Sequence, residues 1–139
     1  MPVYARERKT TQAQYVATAQ KLQAEIVIFC MNEKRFSKKY RFILVQDIIN
    51  KSNEFADNVI GSNAVFPNTE EKLALRKRYL ERAIINIDQL ENKFLLACRV
   101  IKTVTPDNLK NITNLLLDEL ALLRATLKNA KLVGNEEKV

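Results

Sequence analysis

Residues 70–101 read EEKLALRKRYLERAIINIDQLENKFLLACRVI. Leu73, Leu80, Ile87, Phe94 and Ile101 recur every seven positions, and Ala83, Leu90, Ala97 and Val104 make a second row. Two rows at this interval place the apolar side chains on one seam of a helix. The spacing predicts a single helix of about nine turns, packed lengthwise against neighbours. Asn68 and Glu71 have the separation of a capping box, and Glu70 and Glu71 suit the positive end of the helix dipole. A helix this long needs partners of similar length, so the flanking sequence must supply them.

It does so on both sides. Upstream, Tyr15, Leu22, Phe29 and Phe36 fall seven apart, with Ala19 and Ile26 between them. They predict a first helix from about Thr11 to somewhere in 32–36. Ser37 is a favourable N-cap for a second helix. Tyr40, Leu44, Ile48, Phe55 and Val59 lie on one face of it, with Phe42, Val45, Ile49 and Ala56 alongside. Gly61, Ser62 and Asn63 weaken that helix, and Phe66-Pro67 stops it. Downstream, Thr105-Pro106 reads as a restart, with Thr105 as N-cap and Pro106 at the first helical position. Leu109, Ile112, Leu116, Leu120, Leu123 and Leu127 then form the stripe of a fourth helix. Four amphipathic helices with short connections predict an all-α fold, an antiparallel up-down four-helix bundle spanning 12–133. A mobile basic arm at 1–11, with Arg6, Arg8 and Lys9, precedes it, and a fraying tail at 134–139 follows.

Composition agrees with one helical domain. The chain has 139 residues, 47% hydrophobic and 28% charged, with only two Gly and three Pro. The two thiols, Cys30 and Cys98, sit in apolar helical runs and read as buried, reduced side chains; a disulfide would require the two helices to lie side by side. The N-terminus has no apolar signal-type segment, and Ile26–Met31 is too short to span a bilayer, so the expected location is cytoplasmic with no membrane contact.

Much chemistry is excluded. The chain has no His, which removes His-based acid–base catalysis and His metal ligands. The two glycines stand alone at 61 and 134, so no phosphate-cradling loop exists. The carboxylates are scattered, and the adjacent pairs Glu70-Glu71 and Asp118-Glu119 point in different directions on their helices. The expectation is a protein that is not an enzyme, with no catalytic residues, no metal and no cofactor.

What the sequence does concentrate is positive charge. The net charge is +7. Residues 1–51 carry ten Lys or Arg against four Asp or Glu, whereas residues 52–139 carry thirteen against twelve. Five cations, Lys34, Arg35, Lys38, Lys39 and Arg41, crowd the expected corner between helices one and two. Lys38 and Lys39 there oppose the helix dipole, and a bound polyanion would reverse that penalty. Ion pairing to Glu33 is the alternative explanation. A second cluster, Lys72, Arg76, Lys77, Arg78 and Arg82, opens the third helix. Arg78 and Arg82 share a face, and the heptad row leading to Ala83 turns Arg76 toward a neighbouring helix. Up-down topology places the two clusters at opposite ends of the bundle. Aromatic Phe36, Tyr40 and Phe42 among the cations could stack on bases; the apolar stripe draws Phe36 and Tyr40 into the core instead.

The element RFSKKYRFILVQDI at 35–48 opens the second helix. With Phe66-Pro67-Asn68-Thr69-Glu70-Glu71 and the following Arg76-Lys77-Arg78-Tyr79-Leu80, it resembles the accessory variability determinant proteins of diversity-generating retroelements, which group with four-helix proteins encoded in ribosomal RNA intervening sequences. The similarity covers roughly residues 15–130. Ser37 stands where that family more often has Pro, Val45 where a Gly is expected, and the arm has no counterpart. The resemblance implies a barrel-like homo-oligomer, a pentamer, that is not catalytic and associates with a reverse transcriptase and with RNA or an RNA/DNA hybrid. It makes Lys38, Lys39, Arg41, Arg76, Lys77, Arg78 and Arg82 the candidate contacts, and the charge pattern adds Lys34 and Arg35. The other reading of the basic surface is a helical interaction scaffold for an acidic protein, with no nucleic-acid role.

Overall fold

The computed structural model describes residues 14–134, so the arm at 1–11 and residues 135–139 of the tail lie outside it. The chain is all-α, with four long helices and no strands among the described residues. These are α1 (Gln14–Met31), α2 (Gln46–Ala64), α3 (Glu70–Val100) and α4 (Lys110–Lys128). Each helix packs on its sequence neighbours, and α1 also packs on α4, which closes an up-down four-helix bundle. The widest contact runs between α2 and α3.

The heptad rows of α3 supply the centre of the core. Leu80, Ala83, Ile87, Leu90, Phe94 and Ala97 are all buried, and Ile101 and Val104 continue the seam into the following turn. Leu22, Ile26, Ile48, Phe55 and Leu123 meet them from the other helices, each essentially without solvent contact. Full burial of side chains this size stabilises the fold by about 1.5–3 kcal/mol each. Phe29 joins two further rings edge-on, Phe36 at 5.9 Å and Phe94 at 6.1 Å, so the aromatic cluster ties α1, its following turn and α3 together.

Polar pairs set the register. Asn86 of α3 donates to the Glu54 carboxylate at 2.7 Å and accepts from Asn58 at 2.7 Å, both on α2. The Asn86 bond is also the main reason the Glu54 carboxyl is held below its ordinary pKa. The Tyr15 hydroxyl bonds the Ser62 hydroxyl at 3.0 Å, joining the start of α1 to the end of α2. Gly61 lets the Tyr79 ring lie against α2, since a Cβ at this position would sit 2.8 Å from the ring.

Among the described residues, two side chains bury oxygens without hydrogen-bond partners: Asn68, through Oδ1, and Glu119. Glu119 of α4 is fully buried, and neither carboxylate oxygen is hydrogen-bonded. Burial alone pushes its pKa up to about 9, so it is protonated at neutral pH.

Helix ends differ locally from expectation. α1 stops at Met31, one residue short of the expected 32–36. Thr69, not Asn68, caps α3: its hydroxyl accepts from the Lys72 N–H at 3.1 Å. Thr105 and Asn108 bond each other reciprocally, but they close a turn and not the helix end: Pro106 is not the first helical residue, and α4 begins at Lys110 with Leu109 as its N-cap. Cys30 and Cys98 are free thiols, one buried and one half-buried; burial pushes the Cys30 thiol up to about 12. No helix among the described residues is long and apolar enough to cross a membrane.

Candidate nucleic-acid interface

The corner at 32–41 is a structured turn. The Asn32 carbonyl accepts from the Arg35 and Phe36 N–H groups at 3.0 and 2.9 Å, and its side-chain oxygen accepts from the Lys34 N–H at 2.9 Å. This Asx-type turn reverses the chain immediately after α1. Phe36 drops into the core and anchors it. From the loop after α3, the Thr103 hydroxyl donates to the Arg35 carbonyl at 2.6 Å. The Arg35 guanidinium lies 4.4 Å over the Phe29 ring, a cation–π contact that fixes its direction. With its backbone and its apolar residues held, the turn leaves Lys34, Lys38 and Lys39 exposed.

The entry into α2 is unusual. Ser37 occupies the N-cap position, but its hydroxyl makes no capping bond. One 3-10 turn, Lys38–Tyr40, is followed by a π-helical turn, Arg41–Val45, before regular α-helix begins. π-turns are rare and concentrate at functional sites. Here the wider turn faces only Leu44 and Val45 inward. Phe42 and Ile43 stay outside, 79% and 72% exposed. The expected stripe had Phe42 flanking the core. The extra residue in the π-turn rotates it off that face.

Two recesses flank this turn and share Ser37. One, of about 360 Å³, is lined by the cations Lys34, Arg35, Lys39 and Lys102 together with Tyr40 and Thr103, and carries no carboxylate. The other, of about 570 Å³, has Cys30, Phe36, Val45 and Ile49 along its apolar wall, and Met31 and Phe42 at its rim. Arg41 is also on that rim. Its distance to the Glu33 carboxylate is 4.0 Å, with both side chains more than half exposed. Such a pair is worth little. Lys34, Lys38 and Lys39 have no carboxylate within ion-pairing distance among the described residues. Lys39 lies 5.2 Å from the Tyr40 ring.

The second cluster sits at the other end of the bundle. Arg76 is half-buried, and its guanidinium donates to the Ser62 and Val65 carbonyls at 3.2 and 3.3 Å. It thereby satisfies carbonyls that the end of α2 leaves without helical partners. Lys77 is half-buried, while Lys72, Arg78 and Arg82 are exposed beside Glu70, Glu71 and Glu81. Asp47, near the apolar stripe of α2, is bonded by Lys93 at 2.6 Å.

No family model, curated protein or solved structure matches the chain. The geometry therefore carries the functional reading. It gathers Lys34, Arg35 and Lys39 in one recess with Lys102, places Lys38 and Arg41 beside them, and leaves Arg76, Lys77, Arg78 and Arg82 elsewhere. Lys102 was not among the expected contacts. It lies some sixty residues further along the chain than the corner, and the shared recess and the Thr103–Arg35 bond bring them together. Among the described residues no group of three His, Cys, Asp or Glu side chains could hold a metal ion.

Proposed function

We propose that this protein is a non-catalytic, cytoplasmic nucleic-acid-binding bundle, and that the 32–41 corner holds RNA. The observation that carries this reading is the recess lined by four cations and no carboxylate. Phosphates placed there would replace small counterions, whose release drives association without sequence preference. The bound strand would lie across the end of the bundle formed by the α1–α2 corner and the α3–α4 loop.

The resemblance of 35–48 and 66–80 to retroelement accessory proteins extends the proposal. The chain would act as a homo-oligomer, a pentamer, holding template RNA or an RNA/DNA hybrid beside a reverse transcriptase. Exposed Ile85, Leu95 and Leu96 along the outer side of α3 support self-association, since burying them would remove apolar surface from water. Light scattering on the purified protein tests that part, and a monomer at micromolar concentration would refute it.

The direct test is titration of a structured RNA at several salt concentrations. The expected result is tight binding with a steep inverse salt dependence. Absence of binding near 150 mM salt, roughly the physiological level, would make the corner a docking point for an acidic protein instead.

A further inference from the structure

The two recesses that share Ser37 differ sharply in chemistry. One is cationic; the other is apolar with an aromatic rim. We propose that they are two halves of one site, which seats a single unpaired nucleotide of an RNA strand. The base enters the groove against Phe42, and its phosphates lie over Lys34, Arg35, Lys39 and Lys102. This inference rests on the RNA reading above and deepens it by specifying a single-stranded ligand.

Three observations carry it. The groove volume of about 570 Å³ falls in the range of roughly 300–1,000 Å³ usual for small-ligand pockets. Phe42 is 79% exposed, the most exposed large apolar side chain among the described residues, and it follows directly on Arg41. An exposed ring beside cations is the arrangement on which single-strand binders stack bases. Finally, the mainly apolar groove also carries polar side chains. Glu33, Ser37, Gln46 and Asn50 line it alongside Arg41. Amides and a hydroxyl can donate and accept, and the carboxylate accepts, which together suit the N–H and carbonyl edge of a heterocycle. The apolar anchors of a docked peptide helix would leave those groups without partners, and a helix needs a furrow that takes anchors over two turns.

The site also explains the cost of the π-turn. The π-turn sets which residues of the Phe-Ile-Leu-Val run at 42–45 face the core. The π-turn exposes Phe42 and Ile43 while the preceding turn stays tied to the core by Phe36. The exposed ring is thus held by a rigid backbone, which lowers the entropy lost on binding.

The test compares a short oligoadenylate with an RNA duplex of equal phosphate number, both titrated against the full chain. Phe42→Ala should weaken the single strand by about tenfold or more, as loss of one stacked base does. It should leave the duplex affinity and both salt slopes unchanged. Phe42→Tyr, which keeps the ring, should restore strand binding. The exposed ring contributes little to the core, so the variant keeps its fold, and an unchanged melting curve verifies that. Equal loss for strand and duplex, or no loss for either, overturns the base pocket while leaving the RNA reading intact. Failure of the unaltered chain to bind either RNA overturns both. Free adenosine monophosphate binding as tightly as the strand also overturns the proposal, because the site would then serve a mononucleotide.

Discussion

Residues 34–41 and residues 72–82 each hold five cations, and only the second stretch contains an acid, Glu81. The fold uses them in opposite ways. In the α3 stretch half-buried Arg76 is committed to carbonyls at the end of α2, and its neighbours share the surface with glutamates. At the corner the backbone is satisfied by its own turn, the aromatic anchors are buried, and the lysines are left over. Charge density alone does not mark a binding surface. What matters is whether backbone oxygens and carboxylates already occupy the cations.

The strongest way to break this contrast is charge reversal at each end. Lys38→Glu, Lys39→Glu and Arg41→Glu together should lower RNA affinity on the order of 100-fold at physiological salt and flatten the salt slope, since each lost phosphate contact removes a counterion released. Reversing Lys77, Arg78 and Arg82 should change affinity by no more than a few-fold. Filter-binding or anisotropy titrations decide it. Equal losses from the two triples would show that the whole basic field, and not the corner, attracts RNA.

Affinities compare cleanly only on a folded chain, and Glu119 makes folding depend on pH. Its native pKa is raised to about 9, against an unfolded carboxyl near about 4.3. Between those values the native state keeps a proton that the unfolded state releases. The stability is therefore present in full below the unfolded value and is lost as pH rises toward the native one, with a slope approaching about 1.4 kcal/mol per pH unit. Chemical denaturation at pH 6 and pH 8.5 should show the chain weaker at the higher pH. Glu119→Gln should flatten the slope, and Glu119→Leu should raise stability at pH 8.5. A pH-independent midpoint in the unaltered chain would mean that the carboxyl is solvated or paired.

Removing Arg76 sharpens the contrast from the structural side. Arg76→Ala should cost about 1–3 kcal/mol of stability, the usual loss when buried carbonyls forfeit a charged donor. RNA affinity measured well below the melting transition should stay within about twofold of the unaltered chain if, as proposed, the corner supplies the phosphate contacts. A large loss of affinity with little loss of stability would reverse the assignment of the two ends.

How far these roles were readable in the sequence depends on where their causes lie. The seven-residue rows of α3 are local and repeated, so the helix and the turn of Arg76 toward a neighbouring helix follow from spacing, while the structure identifies that neighbour as α2. Glu119 was also legible in principle: with Ile112, Leu116 and Leu123 it keeps the three- and four-residue spacing of the buried stripe. Its adjacency to Asp118 hides that spacing. The π-turn was not legible, because four consecutive apolar residues look the same whether two or four of them reach the core. Nor was Lys102, whose place in the corner depends on a tertiary hydrogen bond. The fold rests on periodic local signals, whereas the candidate site rests on a helix irregularity and a contact distant in sequence.

The smallest expected effect tests the remaining rival explanation, that the corner cations exist to pair with Glu33. Both partners are more than half exposed and the separation is 4.0 Å, so the pair contributes little. Glu33→Gln should change stability by less than about 0.5 kcal/mol in thermal melts. It also removes the acid nearest Lys34 and Arg41, which should raise RNA affinity slightly, by about twofold at low salt, with the gain fading as salt rises. The two readouts move in different directions under the two explanations. A corner built for phosphate loses nothing in stability and gains in affinity. A corner built around an internal ion pair loses more than about 1 kcal/mol and gains nothing, and that result would return the lysines to the status of a solvated surface.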